Sequence, residues 1–320
     1  MSRNIIENKL IYNLDRVTGK RDPITADIFL TNFCNNRCPY CTYSRWEGLM
    51  DKSSYIGYNV FIALSLRLQG FGIKGMILTG GGEPTINPDF DLITSYLEEE
   101  KIAYGINTNF VRYKEFAPDY LKISLDAYDR RSYLKVRGVD QYETVINNIK
   151  KYIEWKDRTG AKTNIGLQLL VTDVLQIVDF YIAHKDIDFD YMIFRPYEST
   201  MGEYYQGTKM AQVPEILKML EEISQRDTRV IVNYKWFNLE ERFEKCHAHW
   251  SQIAVNEKAE IIYCCHKPYE VICSVFDNLA YEKWQEAKTD MTKCDIPCRL
   301  TGPNKFIREV DNDCANTSFI

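Results

Sequence analysis

The chain has no apolar run near the ~20 residues needed to cross a bilayer. Its first ten residues lack the apolar core of a secretion signal. Long basic runs are also missing, and the net charge is −5. That excludes the electrostatic footprint of nucleic-acid binding, and a cluster such as Asp129-Arg130-Arg131 reads as a solvated face. These absences point to the cytoplasm, with neither membrane nor nucleic acid as a partner. There is no internal repeat and no low-complexity linker. Only about 25 residues precede the first expected strand, fewer than the roughly 40 that a folded domain needs. Histidine is scarce, with four residues at 184, 247, 249 and 266. Cysteine is absent from positions 42 to 245.

Where cysteine does occur, it is concentrated. Of ten, three fall between 34 and 41 and seven from 246 to 314. A disulfide scaffold is the wrong reading for a reducing compartment and a 320-residue chain with a large core. Metal ligation or redox chemistry fits better, at two separate sites.

Short apolar segments at 28–30, 75–79, 103–108, 121–124, 164–171 and 191–194 read as strands. Amphipathic stretches at 60–69, 90–100, 142–156 and 174–184 read as the helices between them. Six strands alternating with helices predict a parallel sheet with right-handed crossovers, in the form of a partial (β/α)6 barrel. Ligands in such folds gather at the C-terminal strand ends. A further helix is expected at 214–225 and a short strand at 230–232. Beyond about 238 come hairpin signals at 252–255 and 260–263, then a helix at about 279–288. The expected organisation is an extension over 1–23, a barrel over 24–237 and a small cysteine-rich domain over 238–320.

Cys34, Cys38 and Cys41 follow the first strand. Three thiolates at this spacing can ligate three irons of a cubane, leaving the fourth iron open to a substrate or cofactor. Zinc is the alternative, but it ordinarily takes four protein ligands, and no histidine lies near this loop. Thr79-Gly80-Gly81-Gly82-Glu83-Pro84 follows the second strand. Its glycines allow close approach of backbone to a ligand, and its carboxylate complements an ammonium. An ordinary glycine-rich strand-to-helix turn would look similar.

Cys-x3-Cys-x-Tyr-Cys, with Tyr40 as the aromatic residue, resembles the signature of radical S-adenosylmethionine (SAM) enzymes. The resemblance covers about residues 24 to 300. It implies a [4Fe–4S] cluster at the SAM site, chelating SAM through its amino and carboxylate groups. Reductive cleavage then gives methionine and a 5′-deoxyadenosyl radical that abstracts a hydrogen atom from substrate. Gly80, Gly81, Gly82 and Glu83 resemble the family's segment that meets the SAM amino group. Asn107-Thr108-Asn109 is similar to its Thr-Asn-Gly segment, with Phe110 in place of the glycine. Ser124-Leu125-Asp126 resembles the segment whose serine lies near the SAM ribose or carboxylate. Arg137 is a candidate for the SAM carboxylate.

Cys246, Cys264, Cys294 and Cys298 come from a hairpin and a later loop, and could fully ligate a second cluster. This region resembles the twitch form of the SPASM extension, which carries an auxiliary [4Fe–4S] cluster. Cys264 and Cys265 compete for one ligand position. The family's hairpin glycine is missing, with Glu257-Lys258-Ala259-Glu260 in its place. Cys273 and Cys314 are either buried apolar thiols or hydrogen-atom donors to a substrate radical.

Small twitch-type enzymes include dehydrogenases and epimerases of sugars and aminocyclitols, whereas SPASM enzymes more often modify ribosomally made peptides. The short N-terminal extension favours a small polar substrate over a peptide, and the family implies a flavodoxin- or ferredoxin-type reductant. Arg195, Tyr197 and Glu198 at the end of the sixth strand, with Gln168 in the fifth, are expected to line the cavity as cofactor-binding or acid–base groups. A non-catalytic Fe–S or zinc protein is the reading from another class.

Overall fold

Strands buried on both faces need continuous apolar character, and strands joined by helices must pair in parallel. The structure, a computed structural model, follows both rules. It describes residues 9–41, 43, 51–197, 210–237, 243–268, 270–294, 298 and 300–313. Strands β1 (Thr25–Phe29), β2 (Gly75–Thr79), β3 (Tyr104–Thr108), β4 (Tyr120–Ser124), β5 (Asn164–Val171), β6 (Tyr191–Pro196) and β7 (Val230–Ile231) lie side by side in chain order. Every neighbouring pair among them is parallel. Strand β8 (Gln252–Val255) returns to the other edge of β1 and pairs parallel with it. Strands β9 (Glu260–Ile262) and β10 (Val271–Ser274) then add antiparallel partners, completing one ten-stranded sheet. The hairpin expected in the C-terminal region therefore continues the barrel sheet.

The helices are α1 (Tyr58–Gly70), α2 (Phe90–Glu99), α3 (Arg130–Arg137), α4 (Tyr142–Thr159), α5 (Val174–His184), α6 (Val213–Arg226), α7 (Ala280–Glu286) and α8 (Thr301–Asp313). Ile28, Leu78, Ile106, Ile123 and Leu167 pack with Phe61, Ile149 and Phe180 in one buried core. Alternation and register put Asp27, Phe29, Thr79, Ser124, Gln168 and Arg195 on the opposite face. Among the described residues no helix is long and apolar enough to cross a membrane.

The sequence pattern did not reveal α3, because its first residues are charged. Asp129 caps it by accepting from the Ser132 backbone N–H, and Ser132 answers the Asp129 N–H in a capping box. Tyr133 and Val136 supply its buried side. The hairpin turn without its glycine forms through Ala259, which takes a left-handed backbone at φ 56°. Asn256 Oδ1 accepts from the N–H groups of Lys258 and Glu260, both at 3.0 Å, and holds that turn.

Candidate functional site

The first cysteine loop leaves the C-terminal end of β1 and is gripped from two sides. Gly82 N–H donates to Thr31 O at 3.0 Å and Glu83 N–H to Phe33 O at 2.8 Å. From the far side, Arg37 N–H donates to Arg137 O at 2.9 Å. Gly138, at φ 69°, abuts the Arg37 carbonyl so closely that a Cβ would collide with it.

Polar hydrogens point at the sulfurs. Cys34 Sγ accepts from Asn36 N–H at 3.5 Å and from Asn109 Nδ2 at 3.8 Å. Cys38 Sγ accepts from Arg137 Nη1 at 3.6 Å. Cys34 is exposed as a residue, yet the surrounding loop desolvates its sulfur. That burial, with nearby Glu83, pushes its thiol up to about 12, and Cys38 and Cys41 add to the effect. Bound iron would reverse this balance by stabilising thiolate. Among the described residues no three His, Cys, Asp or Glu side chains converge as ligands of a single ion. A cubane takes each thiolate on its own iron instead, and N–H···S donors are what its ligands require, so the donor set fits.

Glu83 is buried and both its oxygens are engaged. Oε1 accepts from Thr85 N–H at 3.2 Å, Thr85 Oγ1 at 2.8 Å and Thr108 Oγ1 at 2.5 Å. Oε2 accepts from Asn109 N–H at 2.7 Å. Burial pushes its carboxyl up, and these donors pull it down. Glu83 thus joins the ends of β2 and β3, leaving the backbone of Gly80 and Gly81 as the segment's other lining. Asn109 Nδ2 donates to Asn35 Oδ1 at 2.7 Å, tying β3 to the cysteine loop.

Arg137 is buried and pairs with Asp126 Oδ2 at 2.6 Å, while also donating to Ser124 O. Tyr40 donates to the same Asp126 oxygen at 2.9 Å. Asp126, at φ 55°, is held further by Leu170 N–H at 2.8 Å. Ser124, Asp126, Arg137 and Tyr40 therefore form one network, which touches Cys38 through Arg137. Tyr197 meets the Tyr40 ring edge-on at 5.4 Å. Arg195 donates to Gln168 Oε1 at 3.5 Å and lies 5.4 Å from the Trp236 ring. Sequence reasoning missed Trp236, which lies outside every motif. Glu198 and Cys314 fall outside the described residues.

The second set also comes together. Cys246, Cys264, Cys294 and Cys298 line one pocket with His249, Tyr263 and Lys267. Burial pushes the Cys264 thiol well up, and Cys265, Cys246 and Cys298 reinforce it. Cys298 Sγ accepts from Leu300 N–H at 3.4 Å. Cys265 instead packs with Phe29, Ala254 and Ile262, and its carbonyl accepts from Tyr43 Oη at 3.0 Å. His249 is stacked on Tyr263 at 4.4 Å, with its ring nitrogens on the carbonyls of Tyr263 and Trp284. Cys273 lies on β10, directed at Ala280 O and near Asp277 and Lys283. His249 thus braces the pocket wall, whereas Cys265 and Cys273 do not line that pocket.

The fold is that of an open parallel α/β barrel with a three-cysteine loop at its first strand end. Residues 28–168 match the Radical SAM superfamily. The chain is 27% identical over 153 residues to the tungsten-containing aldehyde ferredoxin oxidoreductase cofactor-modifying protein of Pyrococcus furiosus, covering 45% of this chain and 42% of that one. It is 33% identical over 137 residues to the probable GTP 3′,8-cyclase of Pyrococcus horikoshii, covering 40% and 43%. The matches thus span under half the length of these relatives. Among solved structures, Streptococcus suis SuiB bound to precursor peptide SuiA shares the fold at a TM-score of 0.65 and 15% identity, covering 88% of this chain and 69% of that one. The anSMEcpe structure with bound AdoMet does so at 0.61 and 15%, covering 87% and 81%.

Proposed function

We propose that this chain is a radical SAM enzyme that abstracts a hydrogen atom from its substrate, with a second cluster serving as electron acceptor. The observation that carries this is the three-thiol loop at the β1 end, with N–H donors on two of its sulfurs, within the residues that match the Radical SAM superfamily. Cys34, Cys38 and Cys41 would hold the first [4Fe–4S] cluster; Cys246, Cys264, Cys294 and Cys298 would hold the auxiliary one. A cluster held by Cys34, Cys38 and Cys41, with SAM bound, would supply the one-electron chemistry that removes a hydrogen atom from a substrate C–H bond. The chain's own groups orient the partners. The backbone at Gly80–Gly81 and the network of Ser124, Asp126 and Arg137 border the place for SAM. Gln168, Arg195 and Tyr197 border the place for substrate.

For an oxidation, the substrate would lose a hydrogen atom, then one proton and one electron, two electrons in all, and a cluster held by Cys246, Cys264, Cys294 and Cys298 would be the acceptor of the last electron. A flavodoxin- or ferredoxin-type protein supplies the initiating electron. The preferred substrate is a small polar sugar or aminocyclitol. The second reading, a ribosomally made peptide, is supported by SuiB, which was solved with its precursor peptide.

The test is anaerobic reconstitution, iron counting and incubation with SAM and dithionite. About eight irons per chain, with 5′-deoxyadenosine lost on replacing Cys34, Cys38 and Cys41 by alanine, is the expected result. Zinc retained in place of iron would defeat the proposal. A product two mass units lighter separates oxidation from epimerisation, which conserves mass.

A further inference from the structure

The pocket of the second cysteine set contains a group that is costly to bury, the ammonium of Lys267. The residue is 3% exposed and lines the same pocket as all four thiols. A buried ammonium is tolerated only when paired and hydrogen-bonded. Lys267 Nζ meets that demand with three acceptors: Glu270 Oε1 at 3.1 Å, Thr289 Oγ1 at 2.6 Å and Asp290 O at 3.1 Å.

These partners lie on two different segments. Lys267 N–H donates to Cys264 O at 2.9 Å, and Glu270 N–H to Lys267 O at 3.0 Å, so the ammonium grows from the turn that carries Cys264. Thr289 and Asp290 lead into the helical turn Met291–Lys293, where Cys294 N–H donates to Met291 O at 3.1 Å. One side chain therefore bridges two of the three cysteine-bearing segments across twenty-odd residues. The pair is asymmetric toward the pocket: the Lys267 side chain is 4% exposed and that of Glu270 26%. The cation is thus the more deeply buried member of the pair.

We infer that Lys267 is a positioning residue of the second cysteine site, clamping the Cys264 and Cys294 segments together and setting the reduction potential of the cluster that the site would hold, with Glu270 as its counter-charge. This rests on the auxiliary-cluster reading above. A cubane with four thiolates is anionic, so a fixed cation favours the reduced state and a fixed anion the oxidised one.

The test uses the full chain with Cys34, Cys38 and Cys41 replaced by alanine, where only the second cluster remains. Iron is counted, and the reduced fraction is read by electron paramagnetic resonance at one fixed solution potential. About four irons per chain supports the second cluster; iron-free protein overturns that reading and this inference together. With iron present, Lys267→Met, which leaves Glu270 uncompensated, lowers the reduced-to-oxidised ratio about tenfold, equivalent to 59 mV for one electron. Glu270→Gln raises the ratio several-fold, and the double variant returns near the starting value. Shifts of the same sign, or no shift with iron retained, overturn the inference while leaving the cluster standing. Should Lys267→Met fail to take up iron, an unchanged ratio in Glu270→Gln is the overturning result.

Discussion

Gly82 lies directly against Phe33: a Cβ at position 82 would collide with the Phe33 carbonyl oxygen, one residue before Cys34. The glycine-rich turn and the cysteine loop are thus two backbones in contact, and the missing side chain is what lets the loop sit there. Gly82→Ala forces them apart. Overpacking of this kind costs about 1–3 kcal/mol. The expected consequence is loss of the first cluster alone, with iron falling from about eight to about four per chain and 5′-deoxyadenosine formation abolished. Gly70, which has nothing within 4 Å of an added Cβ, is the control. Its alanine variant keeps full iron content.

The Arg137–Asp126 pair couples the cysteine loop to the β4 end. Its side chains are 7% and 3% exposed, so the partners see little solvent. Removing one member of a buried pair strands the other charge, at about 3–5 kcal/mol. Arg137→Met is therefore expected to lose that much in chemical denaturation. Adding Asp126→Asn should restore a large part, because the stranded carboxylate is gone. Equal losses in the single and double variants would show that Arg137 acts through packing alone.

Much of this frame is legible in the sequence because its signals are local. The apolar runs at 75–79, 164–171 and 252–255 became strands with those bounds, and 174–184 a helix with its bounds. Helix α3 was hidden because its charged opening outweighed its buried Tyr133 and Val136, although the Asp129–Ser132 capping box was present as a signal. Strand β10 is short and half-exposed, which blurs its alternation. Helix α8 opens with Thr301, Gly302 and Pro303, which read as a turn. The first candidate site could be read from cysteine spacing because its three thiols lie within one loop. Arg137 and Lys267 were not legible in the roles found, because their decisive contacts cross distant segments. Neighbouring Cys264 and Cys265 could not be told apart by spacing, since adjacent residues near a strand end point to opposite sides.

His184 predicts a pH dependence of stability. It is fully buried, its Nδ1 lies 2.8 Å from Phe180 O and its Nε2 lies 3.0 Å from Tyr142 Oη. Burial lowers its pKa from 6.5 to about 4. Between these values the unfolded chain holds the proton and the folded chain does not, so stability falls as pH falls. The contribution, on the order of 3 kcal/mol, is present above pH 6.5 and lost towards pH 4. In denaturant titrations at pH 7 and pH 5, His184→Gln should show a smaller drop than the parent chain. Equal drops would mean that His184 is accessible to protons when folded.

The adjacent thiols Cys264 and Cys265 supply the sharpest division of labour at the second site. Cys264 lines the pocket with Cys246, Cys294 and Cys298, whereas Cys265 is 4% exposed in an apolar cluster with Phe29, Ala254 and Ile262. A ligand and a packing residue respond differently to the same substitution. Cys264→Ala removes one of four thiolates and should leave about four irons per chain, those of the first site. Cys265→Ala deletes a single buried sulfur, keeps about eight irons, and lowers stability by about 1–2 kcal/mol. Both are read by iron analysis beside a denaturation curve. Iron loss in Cys265→Ala with retention in Cys264→Ala would exchange the two roles, and would require the turn after β9 to rotate when the cluster assembles.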